Sequence, residues 1–110
     1  MNEFVASLEK RQVAENERYK GNEYMKCKEY DLAIQSYSKS LELDPTESAT
    51  YVNRALAHIK LKEFSKAIED ANTAIKLKPN NVKAYHRRAT AYSSTNKLDL
   101  AIRDFQFILE

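Results

Sequence analysis

Between residues 30 and 41 the apolar side chains fall at Tyr30, Ala33, Ile34, Tyr37 and Leu41. That is the i, i+3, i+4, i+7 rhythm of a helix buried along one face. Ahead of it, Tyr19, Tyr24 and Cys27 mark an earlier helix, and Lys28-Glu29 is the turn between the two. Cys27, beside that turn, reads as a small apolar filler. Asp31 stands near the start of the second helix, where a carboxylate favours the free N–H groups. Asp44-Pro45 ends that helix, because a residue before proline is pushed out of the α region. Thr46 or Ser48 is the expected cap of the next one. The plan then returns, with helices over about 48–61 and 64–77, a turn at Lys62-Glu63 and a stop at Pro79. A third pair begins after Asn80-Asn81, runs to about Ser94, turns at Thr95-Asn96-Lys97 and restarts at Leu98. Residues 1–13 carry a weak amphipathic pattern in Phe4, Val5 and Leu8, which either extends the first helix or packs on the others.

The recurrence has a fixed period. Ala33, Ala67 and Ala101 are 34 apart, and each is followed by Ile. Pro45 and Pro79 keep the same spacing, as do Tyr24, His58 and Tyr92. The phrase Leu41-Glu-Leu-Asp-Pro45 comes back as Ile75-Lys-Leu-Lys-Pro79. Self-similarity at such a period signals stacked repeats. The expected organisation is an N-terminal extension over 1–13, then units at 14–47, 48–81 and 82–110, the last one truncated and without a capping helix. The reading is all-α, and His58, standing where the other units have Tyr, is expected to be packed.

Composition narrows the function. Of 110 residues 31% are charged, yet the net charge is only +2, too even a balance to argue for nucleic acid. One Gly leaves no room for a glycine-rich phosphate loop. A single Cys excludes an internal disulfide and any multi-thiolate metal site. No apolar run approaches the roughly 18 residues that span a membrane, and no signal-peptide plan opens the chain. Cytosol is the default compartment, with the nucleus as the other option. No cofactor and no catalytic constellation is expected.

The stretch with chemistry to explain is Lys83-Ala-Tyr-His-Arg-Arg88. Lys83 and Arg87 are one helical turn apart on one face, and like charges so placed repel modestly. They make sense if an anion meets them. With the units numbered from 14, 48 and 82, Arg18 and Asn22 are the fifth and ninth residues of the first, and Asn53 is the sixth of the second. Lys83 and Arg87 are the second and sixth of the third. These places share one side of a helix at about 100° per residue. If the first helices line a common groove, three cations and two amides converge there. Such a set suits a carboxylate, since Lys and Arg give charge-assisted hydrogen bonds and Asn adds neutral N–H donors. A C-terminal Asp, carrying two carboxylates close together, is the natural ligand. One turn further on, Met25, Leu56, Ile59 and Lys60 are candidates to line the groove for upstream residues, with Met25 and Leu56 as a pocket for Val. His86 stands at the groove's edge, with no metal-ligating partner at a suitable spacing.

A 34-residue helix–turn–helix with Gly21, Tyr24, Ala33, Tyr37 and Pro45 in these places resembles the tetratricopeptide repeat, or TPR. The resemblance covers roughly residues 14–110 and implies stacked helix pairs in a right-handed α-solenoid, the first helix of each pair lining a concave groove. Ala55 and Ala89 replace the Gly of the first unit, and Tyr51 and Tyr85 stand where a Trp is usual. The chain is also similar to carboxylate-clamp TPR co-chaperones, of the Spaghetti and sperm-associated-antigen kind. The phrases that carry this are Arg18-Tyr-Lys-Gly-Asn22, Asn53-Arg-Ala55 and Lys83-Ala-Tyr-His-Arg87, with Arg18 where Lys is more usual. The resemblance implies a non-catalytic adaptor that binds the Glu-Glu-Val-Asp tail of heat-shock protein 90 or heat-shock protein 70. Two alternatives stand beside it. One is a TPR scaffold that takes an internal motif; the other is the regulatory segment of a larger enzyme such as a phosphatase or isomerase.

Overall fold

The computed structural model describes residues 2–110, and within them the chain forms six α-helices and no strand. They are α1 (Glu3–Lys26), α2 (Tyr30–Leu43), α3 (Ser48–Lys60), α4 (Phe64–Leu77), α5 (Val82–Ser94) and α6 (Leu98–Leu109). The apolar pattern of residues 3–13 therefore continues the first helix, which is 24 residues long. Neighbouring helices pack as hairpins, α1 on α2, α3 on α4 and α5 on α6, and the hairpins stack through α2–α3 and α4–α5. The first helices α1, α3 and α5 also approach one another, whereas α2, α4 and α6 stay apart. That asymmetry curves the array toward the first helices. The radius of gyration is 14.8 Å, against about 13 Å for a compact chain of this length.

Each hairpin turn is built alike. Lys28, Lys62 and Asn96 adopt left-handed backbone angles, with φ near 60°. Around the first, Glu29 N–H reaches back to the Tyr24 carbonyl at 2.9 Å and Lys28 N–H to Met25 at 3.0 Å. The pairs Glu63–His58 and Lys97–Tyr92 repeat the longer bond at 2.8 Å. This double closure satisfies the carbonyls that a helix end leaves open. It also holds the chain in a conformation that Gly adopts most readily.

Close packing of the hairpins rests on small side chains. Ala33, Ala67 and Ala101 are buried at the helix crossings, as are Ala55 and Ala89 in the second and third first-helices. The first unit has Gly21 instead, and the reason is the ring opposite. A Cβ built on Gly21 would lie 2.6 Å from the Tyr37 ring. The positions equivalent to Tyr37, 34 and 68 residues on, are Ala71 and Phe105. Gly therefore accompanies the buried Tyr, while Ala55 accompanies Ala71.

Two matching ion pairs lie between first and second helices. Arg54 of α3 grips Asp70 of α4 in bidentate fashion, at 2.8 and 2.7 Å, and its third nitrogen donates to Ser38 of α2 at 3.1 Å. Arg88 repeats this on Asp104 of α6, at 2.8 and 2.7 Å, and reaches Asn72 of α4 at 2.9 Å. Each guanidinium thus ties its own hairpin to the one before. The planar fork matches the carboxylate, which is why Arg and not Lys suits the position.

Some local expectations are corrected. The cap of α3 is Glu47, whose side chain accepts from Ala49 N–H at 3.4 Å. Thr46 instead donates its hydroxyl to Asp44 at 2.6 Å. Ser48 is buried and donates to the Ala74 carbonyl at 3.0 Å. That bond needs Ser48 inside the helix, so it is lost as a cap. Cys27 is a free, exposed thiol at the end of α1 and fills no core. Tyr19 is also exposed. His58 is buried, but as part of a polar chain: Nδ1 lies 3.0 Å from Glu63 and Nε2 3.7 Å from Asp70.

Gly21→Ala is expected to destabilise the protein by about 1–3 kcal/mol by overpacking, despite the better helix propensity of Ala. Chemical denaturation measures this, and Tyr37→Ala should cost less in the Gly21→Ala background than alone. Lys62→Gly should raise stability by about 0.5 kcal/mol, the left-handed strain outweighing the added chain entropy of Gly. In a thermal melt that is a rise of a few degrees.

Candidate functional site

The two arginines of Arg87-Arg88 have opposite fates. Arg88 turns toward the second helices and is matched by Asp104 at 2.7 Å. Arg87, 100° further round the helix, has no carboxylate within ion-pair distance among the described residues. Its Nε is buried without a hydrogen-bond partner. Burial pulls its pKa below the usual guanidinium value, because the cation has lost water and gained no anion. Lys83, one turn earlier, is exposed and likewise without an acidic partner. Arg18 on α1 has only Glu15, at 3.9 Å, the limit of an ion pair. The same pattern divides Asn53 from Arg54: the amide faces the inner side and the guanidinium the second helices.

Of the five residues expected to meet, Arg18, Asn53 and Lys83 line one cavity of about 540 Å³ where α1, α3 and α5 face each other. Ser48, Val52 and Asn81 form part of its wall, and Glu47 stands at the mouth. Among the described residues Glu47 is the only carboxylate lining it; one of its oxygens accepts from Ala49 N–H at 3.4 Å, and Lys78 adds another cation to the wall. Asn22 joins the group through Asn53, whose Nδ2 donates to Asn22 Oδ1 at 3.1 Å across α1 and α3. Arg87 is half-buried one turn above Lys83 on α5 and is not part of the cavity wall. Cationic and amide groups from three helices are therefore gathered on the inner side.

The second set is less uniform. Met25 and Leu56 are half-buried. Ile59 packs against the core cluster of Ala55, Ala67 and Ala91, so part of its surface belongs to the core. Lys60 is exposed. His86 is exposed, and its ring meets Phe105 edge-on with centroids 6.3 Å apart.

One participant was not expected. Tyr37 of α2 is only 1% exposed, yet its hydroxyl crosses from the core to donate to Asn22 Oδ1 at 2.5 Å. Burial pushes the Tyr37 phenol up to about 12, and nearby Arg18 opposes that rise. The sequence signal was Gly21: a Gly mid-helix costs stability unless a neighbour needs its space.

Comparison with known proteins places this architecture. The tetratricopeptide repeat model matches residues 18–47 and 48–81, and a second tetratricopeptide repeat model matches 71–103. The chain belongs to the tetratricopeptide repeat family. TPR domains are protein-interaction modules. The first TPR of Spaghetti (RPAP3), solved with the HSP90 peptide SRMEEVD, is 38% identical with a TM-score of 0.88, over 90% of this chain and 79% of that one. The TPR2B domain of yeast Sti1, in its pHsp70 complex, is 34% identical with a TM-score of 0.86, over 88% and 78%. The serine/threonine-protein phosphatase 5 of Homo sapiens is 41% identical over 46 residues, which are 42% of this chain. That match spans only 9% of the phosphatase. No helix among the described residues is long and apolar enough to cross a membrane.

The raised Tyr37 pKa has a definite sign. The folded state holds this proton more tightly than the unfolded chain, so the associated stability is complete below pH 10 and is lost as pH rises toward 12. Unfolding free energies measured by denaturant between pH 9 and about pH 12 should show this fall in the native protein. The slope should be shallower in Tyr37→Phe.

Proposed function

We propose that this TPR domain is a non-catalytic adaptor whose inner groove clamps the C-terminal carboxylates of a chaperone tail ending in Glu-Glu-Val-Asp. Arg18, Asn22, Asn53, Lys83 and Arg87 form the clamp, and heat-shock protein 90 or heat-shock protein 70 is the partner. The observation that carries the reading is the contrast between the two sides of the same helices. On the side toward the second helices Arg54 and Arg88 each have an Asp. On the inner side Lys83 and Arg87 have none, and Arg18 has a marginal one. Cations that outnumber the single carboxylate beside them, Glu47, are poised to receive an anion, and a partly desolvated guanidinium binds it more strongly than an exposed one does.

The donor set fits a carboxylate better than a polyanion. Two of the five groups are neutral amides, which place hydrogen bonds without adding charge. The net charge of +2 gives no extended basic stripe for a nucleic-acid backbone. Identity of 34–38% with TPR domains solved with HSP90 and Hsp70 peptides supports the same choice of ligand. Met25 and Leu56, half-buried beyond the clamp, offer an apolar seat for the Val before the terminal Asp.

Calorimetric titration with such a tail peptide should give a Kd in the micromolar range, and amidating its terminus should weaken binding at least tenfold, about 1.4 kcal/mol. Lys83→Glu or Arg87→Glu should abolish binding by setting like charge against the ligand. Equal affinity for acid and amide would overturn the clamp.

A further inference from the structure

Asn22 and Asn53 are joined by one hydrogen bond, and that bond alone leaves their orientation open. Either Asn53 donates to Asn22, as observed at 3.1 Å, or both amides turn over and Asn22 donates to Asn53. The two arrangements have equal numbers of bonds, but they present opposite faces to the groove. In the first, both Nδ2 groups of Asn22 and Asn53 retain N–H donors for a ligand. In the second, the carbonyl oxygen of Asn22 looks outward and would meet a carboxylate with a like partial charge.

We propose that Tyr37 is a positioning residue that fixes the polarity of this amide pair, so that both asparagines offer N–H groups to an anionic chain end. The inference rests on the carboxylate reading given above. A buried phenol must donate its proton to an acceptor, and the acceptor of Tyr37 is Asn22 Oδ1, at 2.5 Å. The oxygen is thereby held toward the core, where it takes the Asn53 donor as well. Turning Asn22 over would set an N–H group against the phenol oxygen and leave the hydroxyl proton, on a residue only 1% exposed, without its acceptor. The device depends on Gly21. With any side chain there, the ring could not lie where its hydroxyl reaches Asn22, since even a Cβ falls 2.6 Å from it. The other units cannot repeat it, because Ala71 and Phe105 stand in place of Tyr37 and neither has a hydroxyl.

The test compares Tyr37→Phe with the native protein, using a tail peptide with a free terminus and the same peptide amidated. The free-acid affinity should fall about five- to tenfold in Tyr37→Phe, as expected for about one lost charge-assisted hydrogen bond. The amide's affinity should hardly change, so the acid-to-amide ratio collapses. Leu41→Val, a core truncation that keeps the hydroxyl, should leave the ratio intact. If the native protein does not distinguish acid from amide, the clamp reading itself fails. If it does, and Tyr37→Phe keeps the native ratio or Leu41→Val loses it equally, Tyr37 has no positioning role. Proton NMR of the native protein gives a check that needs no variant. The Asn22 Nδ2 protons should exchange rapidly with solvent and broaden or shift on adding the acid peptide. Protected Nδ2 protons that ignore the peptide would overturn the inference.

Discussion

Two helices can lie side by side at close range only if what stands between them is small. Here that means alanine at 33, 67 and 101, alanine at 55 and 89, and glycine at 21. The constraint sets the spacing of the hairpins, and the spacing sets the groove. Because α1, α3 and α5 are drawn together while α2, α4 and α6 are not, neighbouring residues on a first helix, about 100° apart, divide between the inner side and the second helices. Asn53 and Arg87 face inward, Arg54 and Arg88 toward the second helices. A larger residue at any of the crossings would push the hairpins apart and separate groups that now share one cavity, such as Arg18, Asn53 and Lys83. Close packing is dense enough that such a shift is not absorbed locally.

The repeat plan was legible because it is written in spacing. Ala-Ile at 33, 67 and 101 and Pro at 45 and 79 need no structure to be seen, and helix limits follow from them within a residue or two. The gathering of Arg18, Asn53 and Lys83 was legible too, once the first helices were taken to line one side. What lay outside the pattern was chemistry decided by contacts across the period. Asp70 and Asp104 repeat at 34, as do Arg54 and Arg88, but nothing in a single unit says that one grips the other 16 residues away. The cap of α3 was misread because Ser48 has the right chemistry for a cap and a stronger use: its hydroxyl meets the Ala74 carbonyl in the core. Cys27 follows the helical rhythm, yet α1 ends there and leaves the thiol exposed.

The bond from Tyr37 to Asn22 was hidden for a further reason. A tyrosine at helical spacing is ordinarily core, and Tyr37 is core by its ring. Only the hydroxyl reaches beyond the core, to Asn22 Oδ1. Where that oxygen ends depends on how deep the ring sits, and the depth depends on a missing Cβ at Gly21. Three residues from two helices must be placed before the interaction exists, so no linear motif carries it.

Charge distribution completes the logic. Cations without partners weaken a fold through mutual repulsion and lost solvation. On the inner side that cost falls on Arg87, whose Nε is buried without a partner. Toward the second helices, buried Asp70 and Asp104 each accept two bonds from one guanidinium, which also reaches the previous hairpin. Removing either partner of such a pair is far more damaging than removing a surface ion pair. These ties hold neighbouring hairpins together while Lys83 and Arg87 stay without a carboxylate partner among the described residues. On the proposed reading, an anion entering the groove would relieve the repulsion of these cations while the ties stay unchanged. The ordering cost of such binding would be correspondingly small, so that the affinity of a short chain end would rest on a handful of hydrogen bonds.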